Sequence, residues 1–258
     1  MAMADTRQVG ALLVAAGAVC TLWMVGDKDS SDQHEVTSRI SEVRLDSANA
    51  DITIKVGDSD KTTIKEKRSY WLVKHGDAYK VDGETLRLTN DCGWQCHVDF
   101  EVTVPRGTKV TGEHGSGDLS IAGVSGVNAS SNSGKVELED VSGDVKLTLA
   151  SGDAVIDGLS GKLDFDASSG DLHAEHLKAG PVNAKTVSGD LTIALDEATD
   201  VKAEDTSGDI TVEAPAGDYQ IQTDTRSGEV DNNLTSNASA NHKITATTVS
   251  GDVALRSN

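Results

Sequence analysis

Aromatic side chains are nearly absent: three Trp, three Tyr and two Phe in 258 residues. A core built around rings is therefore excluded. Basic residues are also short, 23 Lys and Arg against 42 Asp and Glu, for a formal net charge of −19. A phosphate backbone needs a basic surface, so nucleic acid is excluded as a partner. The chain holds no nucleophile elbow, phosphate-binding glycine loop or His pair with ligand geometry. The reading is a protein without enzymatic activity. Apolar residues make up only 37% of the chain, yet their regular placement argues against disorder.

What the chain has is a repeat. Ser-Gly followed by an acidic or basic residue and an aliphatic one recurs at Ser116, Ser133, Ser151, Ser169, Ser188, Ser207, Ser227 and Ser250. The steps between these serines are 17, 18, 18, 19, 19, 20 and 23 residues. Half-period echoes fall at Ser125-Gly126, Ser142-Gly143-Asp144, Ser160-Gly161 and Ala179-Gly180. A fixed period of this size outranks local propensity. After each turn apolar and polar residues alternate, as in Leu119-Ser120-Ile121, Val136-Glu137-Leu138 and Leu191-Thr192-Ile193, which is strand periodicity. Only Asn232 places a polar residue in an apolar slot.

Two short strands and two turns in each repeat predict an all-β fold, a parallel β-solenoid of 18–20-residue coils, right-handed by the crossover rule. A narrow interior filled by stacked aliphatic side chains also accounts for the missing rings. The turn glycines Gly117, Gly134, Gly152, Gly170, Gly189, Gly208, Gly228 and Gly251 stand where a Cβ would crowd the adjacent coil or forbid the backbone dihedrals. In the strand Val182–Ser188, alternation points Ser188 inward. Asp118, Asp153, Asp171, Asp190, Asp209 and Asp252 form an outward column, which either caps turn amides or, through repelling carboxylates, holds calcium. No other cofactor is called for. His173 and His176, three apart on a strand, fall on opposite faces and do not share a metal.

The chain divides into an export segment with a short linker (1–29), an irregular cap with the first coils (30–110) and the regular solenoid (111–258). Val9 to Val25 carries no charge, follows Arg7 and precedes Asp27. It reads as an apolar helix: an uncleaved signal anchor with the C-terminal domain exported, or a signal peptide cut after Ala18. In an oxidising compartment Cys92 and Cys96 are expected to form a local disulfide around Gly93-Trp94-Gln95. Haem attachment wants two residues between the cysteines, and here there are three. Tyr70, Trp71, Tyr79, Trp94 and Phe100 fall within the cap, where a solenoid needs its first coil covered. From Lys55 to Arg87 there are 8 basic and 6 acidic residues, against 9 and 25 from Gly112 to Asn258. Tyr70, Trp71, Lys74, His75 and Tyr79 are accordingly candidates for contact with an anionic membrane surface.

The export segment, the opening Val43-Arg44-Leu45-Asp46-Ser47-Ala48-Asn49-Ala50-Asp51-Ile52 and the recurring Ser-Gly-Asp-aliphatic turns resemble the bacterial putative-adhesin β-strand-repeat family over residues 40–257. The resemblance implies an envelope β-solenoid and brings no catalytic residues. Two functional classes follow. One is a binding or adhesion module whose flat faces meet a protein or a surface glycan. The other is a sensory or assembly module acting on a membrane partner of the same cell, since a related repeat occurs in envelope-stress signalling. Among the repeat aromatics only Tyr219 is placed to stack on a sugar.

Overall fold

The computed structural model describes residues 28–70, 77–89 and 96–258. The apolar segment 9–25, Trp71, Lys74, His75, Trp94 and Cys92, and with Cys92 the expected disulfide, lie outside these residues. No helix among the described residues is long and apolar enough to cross a membrane.

The described chain is all-β. Its strands are β1 (Lys28–Val36), β2 (Glu42–Asn49), β3 (Ile52–Val56), β4 (Thr62–Tyr70), β5 (Tyr79–Asp82), β6 (Thr85–Thr89), β7 (Cys96–Val104), β8 (Lys109–Ser116), β9 (Leu119–Ala122), β10 (Val127–Ser131), β11 (Val136–Val141) and β12 (Val145–Leu149). They continue with β13 (Ala154–Leu159), β14 (Leu163–Ala167), β15 (Leu172–Leu177), β16 (Val182–Thr186), β17 (Leu191–Leu195), β18 (Val201–Glu204), β19 (Ile210–Ala214), β20 (Asp218–Ser227), β21 (Val230–Asn232), β22 (Thr235–Ser236), β23 (Lys243–Ser250) and β24 (Val253–Ser257). Each coil gives one strand to each of two 12-stranded sheets. The first sheet runs β1-β4-β7-β3-β9-β11-β13-β15-β17-β19-β24-β21, and the second β22-β20-β23-β18-β16-β14-β12-β10-β8-β2-β6-β5. Pairing between coils is parallel and in register, while the β1–β4, β4–β7 and β5–β6 contacts of the cap are antiparallel.

The alternation of the sequence becomes stacked ladders. On the first sheet Phe100, Ile52, Leu119, Val136, Ala154, Leu172, Leu191, Ile210, Val253 and Val230 occupy one register position. On the second, Leu86, Val43, Val110, Val127, Val145, Leu163, Val182, Val201, Ile244 and Ile221 do the same. The inner members of both ladders are buried, Leu172 and Leu163 each exposing no more than 1%. Burying such a side chain contributes about 1.5–3 kcal/mol, so stability accumulates coil by coil. Asn232 causes no conflict because it lies on β21, the outermost strand of its sheet, where it is exposed.

Chain order and stacking order part company at both ends. From β8 to β19 successive coils stack successively. The coil β2–β3, however, lies between β6–β7 and β8–β9, and the coil β23–β24 lies between β18–β19 and β20–β21. The turn after Ser250 therefore rests on the turn after Ser207, and the turn after Ser227 forms the outer layer. The 23-residue step before Ser250 is the trace this leaves in the spacing. It supplies the chain for β22 and for the return from the outermost coil.

The strand phase at the turn also differs from the sequence reading. Alternation holds through Thr186, which is buried, and then stops: Val187 and Ser188 are both exposed. Ser188 does not point inward, because β16 ends at Thr186 and the following residues form the corner, bridged to Ser207 of the next coil. The inward polar position is two residues earlier, at Ser131, Thr186, Asp205 and Thr248.

Gly189 shows why the corner excludes a side chain. Its φ is +140°, and a Cβ there would stand 2.2 Å from the carbonyl oxygen of Gly170 in the coil below. Gly83, in the β5–β6 turn, has φ +63° but nothing within 4 Å of the corresponding Cβ. The pair separates the dihedral cost from the stacking cost. Gly83→Ala should cost about 1–2 kcal/mol for the left-handed backbone alone. Gly189→Ala should cost at least about 3 kcal/mol, because the neighbouring coil must also move. Thermal unfolding of the two variants side by side measures the difference, and equal losses would show that coil spacing does not constrain this turn.

Candidate functional site

The turn aspartates are the most regular polar feature of the rod, and their chemistry runs between coils. Asp118 Oδ1 accepts the Lys135 N–H at 3.0 Å, Asp153 Oδ1 the Asp171 N–H at 3.1 Å and Asp171 Oδ1 the Asp190 N–H at 2.8 Å. Asp190 Oδ1 takes the Asp209 N–H at 2.9 Å, and the ladder ends with Asp209 to Asp252 and Asp252 to Glu229, both at 2.8 Å. It begins in the cap, where Asp99 accepts from Asp51 N–H and Asp51 from Asp118 N–H. These are caps of amides in the adjacent coil rather than turns closed on the same residue. A backbone N–H held against each carboxylate offsets the repulsion of charges stacked at strand spacing. Asp144 and Asp200 repeat the device on the opposite corner, accepting from Lys162 and Lys243.

His173 and His176 depart from the sequence reading. Both are exposed, because β15 carries two residues, Glu175 and His176, where β17 carries one. This bulge puts His176 at φ +52° and restores the inward phase at Leu177. Asp140, with φ +51°, and Gly158, with φ +80°, sit at the same level of the preceding coils. The two histidines bind separate acids: His173 Nε2 lies 2.6 Å from Glu175, and His176 Nδ1 lies 2.7 Å from Asp157. The Asp157 carboxylate raises the His176 pKa above its ordinary value. Among the described residues, one set of His, Asp or Glu ligand atoms lies within 4.8 Å of each other, that of His34, Glu66 and Asp77 in the cap.

Tyr219 is not available for stacking. It is 1% exposed, its ring closing the core under the outermost coil while its hydroxyl donates to the Pro215 carbonyl at 2.9 Å. Phe165, on the solenoid wall, is likewise buried. In the cap Tyr79 is half-buried against His34, with ring centroids 5.5 Å apart. Two of the cap's lysines, Lys65 and Lys67, both grip Glu101. Their hydrogen bonds bring its carboxyl down to about 2.

What faces solvent is flat and regular. Thr111, Asn128, Lys146, Asp164, Asn183, Lys202 and Thr245 stand in one row along the second sheet. Over part of that row runs a shallow groove of about 340 Å³, bordered by Lys109, Asn128, Asp144, Lys146, Lys162 and Asp164. Its lysines interrupt an otherwise acidic rod. Asp164 accepts from Asn183 Nδ2 at 2.8 Å and from Lys162 Nζ at 3.0 Å, and these bonds lower its pKa. The groove offers donors and acceptors at strand spacing beside Val110, Val127 and Val145, and no aromatic ring borders it. Sequence reasoning marked Asp144 but missed the groove. Its lysines come from three different coils and align only once the register is known.

One buried carboxylate is poorly served. Asp205, 7% exposed, accepts the Thr248 hydroxyl on Oδ2 at 3.5 Å, yet its Oδ1 has no hydrogen-bond partner. Burial raises its pKa above the ordinary aspartate value. Between the two values the unfolded chain has lost its proton while the folded chain retains it. The group's contribution to stability therefore falls as pH rises through that window. Asp205→Asn should raise the unfolding temperature at pH 7 by a few degrees, on the order of 1 kcal/mol. The gain should vanish at a pH where both forms of Asp205 are protonated. The turn column gives the opposite test: Asp190→Ala strips the Asp209 N–H of its acceptor and should cost about 1 kcal/mol, whereas Asp190→Asn keeps an acceptor and should stay close to wild type. Thermal melts across pH 3–8 check both.

Solved structures matched by this chain include a putative adhesin from Parabacteroides distasonis, 14% identical, with 88% of this chain and 97% of that chain covered at a TM-score of 0.52. A putative adhesin from Bacteroides fragilis is also 14% identical over 88% and 97%, with a TM-score of 0.46. A putative cell adhesion protein from Clostridium sporogenes is 12% identical over 90% and 100%, with a TM-score of 0.27. At 14% identity and a TM-score of 0.52, the likeness to the Parabacteroides distasonis protein is one of fold alone. No match was found among curated proteins. The model of the Toastrack DUF4097 family matches residues 40–256, from just before β2 to the last strand, and the chain belongs to that family.

Proposed function

We propose that this chain is a non-enzymatic binding module of the cell envelope, exported and held at the membrane by its N-terminal segment, with the second sheet as its binding face. The observation that carries the reading is the lysine-bordered groove over Thr111, Asn128, Lys146 and Asp164. Its side chains project from successive coils in register, so an extended polar ligand can meet the same kinds of group at each strand spacing. The mixture of amine, amide and carboxylate suits hydrogen bonding to a hydroxyl-rich glycan or an extended peptide. The burial of Tyr219 and Phe165 turns the reading away from sugar stacking and toward polar contacts. The names of the adhesin-type structures point in the same direction. Acting through many weak contacts, such a face gains affinity by repetition rather than from a deep pocket.

The test is capture on the immobilised full chain, offered foreign surface glycans and matrix proteins alongside the detergent-solubilised envelope of the host. Lys146→Glu together with Lys162→Glu reverses the charge of the groove and leaves the core untouched. Retention of foreign material by the wild type, with at least tenfold weaker retention by the double variant, is the expected result. Selective retention of a membrane protein of the same cell would replace adhesion by the sensory or assembly reading, and retention indifferent to the double variant would move the binding face elsewhere.

A further inference from the structure

We propose that the cap binds one divalent transition-metal ion of the zinc class between His34, Glu66 and Asp77. The three residues come from separate segments: His34 from β1, Glu66 from β4 and Asp77 from the approach to β5. One imidazole nitrogen and one oxygen from each carboxyl all lie within 4.8 Å of one another. Ligands at ~2.0–2.1 Å from a tetrahedral metal stand about 3.3 Å apart, so closing the set needs movements of about an ångström.

The state of the histidine is the second observation. His34 Nε2 is shielded from solvent and has no hydrogen-bond partner. Asp77 Oδ1 lies 4.0 Å away, beyond hydrogen-bond reach but across a gap that a bridging cation spans. The imidazole is steadied by the Tyr79 ring, tilted 53° to it. A polar ring atom buried without a partner is costly, and metal ligation supplies the missing interaction.

The surrounding groups fix the other ligands. Glu66 is fully buried: its Oε1 accepts the Ala78 N–H at 2.9 Å and its Oε2 pairs with Arg68. Arg68 also lies 3.6 Å from Asp77. With a neutral His34, the two carboxylates and one guanidinium leave a net negative charge. The field therefore favours a cation. One imidazole with two carboxylates selects zinc-class ions over calcium or magnesium, which take oxygen alone. Three protein ligands leave a fourth position for water.

The placement gives such an ion a task. His34 and Glu66 belong to the outermost strands of the first sheet, whereas Asp77 leads into the outermost strand of the second. The metal would clasp the two sheets together at the N-terminal end of the rod, where the cap strands β1, β4 and β5 pair antiparallel.

The experiment strips the full chain with chelator, then titrates Zn²⁺ against a chromophoric chelator and records the visible spectrum with Co²⁺. Wild type, His34→Ala, Asp77→Asn and the control His173→Ala are compared. His34 and Asp77 are partly exposed, so their replacement leaves the core intact, and circular dichroism checks this. The expected result is one zinc per chain in wild type and control, a rise in unfolding temperature on loading, and at least tenfold weaker binding in the other two variants. Undiminished uptake in His34→Ala and Asp77→Asn would assign the metal to another site, the cysteines included, and overturn the proposal. The absence of one-to-one uptake in wild type would overturn it equally.

Discussion

Everything in this rod depends on one spacing, the ~4.8 Å between a strand and its parallel neighbour. Two flat sheets keep that distance easily, but the corners must keep it too. At the corner after Ser188, Gly189 sits so close to Gly170 that a methyl group would stand 2.2 Å from its carbonyl oxygen, well inside van der Waals contact. The backbone amide of the following aspartate is then brought within 2.8 Å of the aspartate below. Glycine and aspartate thus solve one problem in sequence: the first lets the coils approach, and the second satisfies a donor that the approach would otherwise leave at the margin. The aliphatic ladders follow from the same distance, since identical register puts like side chains over like.

Such a design is highly legible. Alternation after each turn located the inward residues from Leu119 to Ile210 and again at Val253, with Val230 exposed on the outermost strand, and the recurrence of one turn type pointed to a parallel stack. The failures are local and share a cause. Ser188 was read inward because alternation was extended two residues past the end of β16, across a corner where the chain changes direction. His173 and His176 were placed on opposite faces by strand alternation, but a one-residue bulge reverses the phase at His176, and its αL backbone leaves no mark in residue type. Tyr219 was expected to be exposed, but it takes an inward position on β20 and its hydroxyl finds the Pro215 carbonyl, a contact within the coil that alternation does not reveal. The groove on the second sheet was invisible because Lys109, Lys146 and Lys162 are neighbours only across coils. In the cap, His34, Glu66 and Asp77 carry no spacing that sequence alone could pair.

Charge is handled by geometry more than by compensation. The acidic residues of the turn column face backbone amides rather than lysines, so the ladder persists without a matching basic column. Lysines are instead concentrated where they meet a particular acid, as Lys65 and Lys67 meet Glu101. Asp205 is the exception, a carboxylate placed at an inward position that Ser131 and Thr186 fill with hydroxyls. The column of backbone donors on the surface and the hydroxyl row beneath the corner are two separate ways of ending a strand, and Asp205 is caught between them.

The exchanged order of the end coils bears on how the rod would carry load. In a stack that follows chain order, a tug on the final coil parts one interface, and the rod unwinds layer by layer. Here β24 is flanked by β19 and β21, and β23 by β18 and β20. A force on the last strands must shear two ladders at once and lift away a layer that the chain had already laid down. The same holds at the other end, where β2 and β3 lie beneath β6 and β7. Each end is thus knitted with a locking stitch, and resistance to peeling is set by the order of threading as well as by the strength of any single contact.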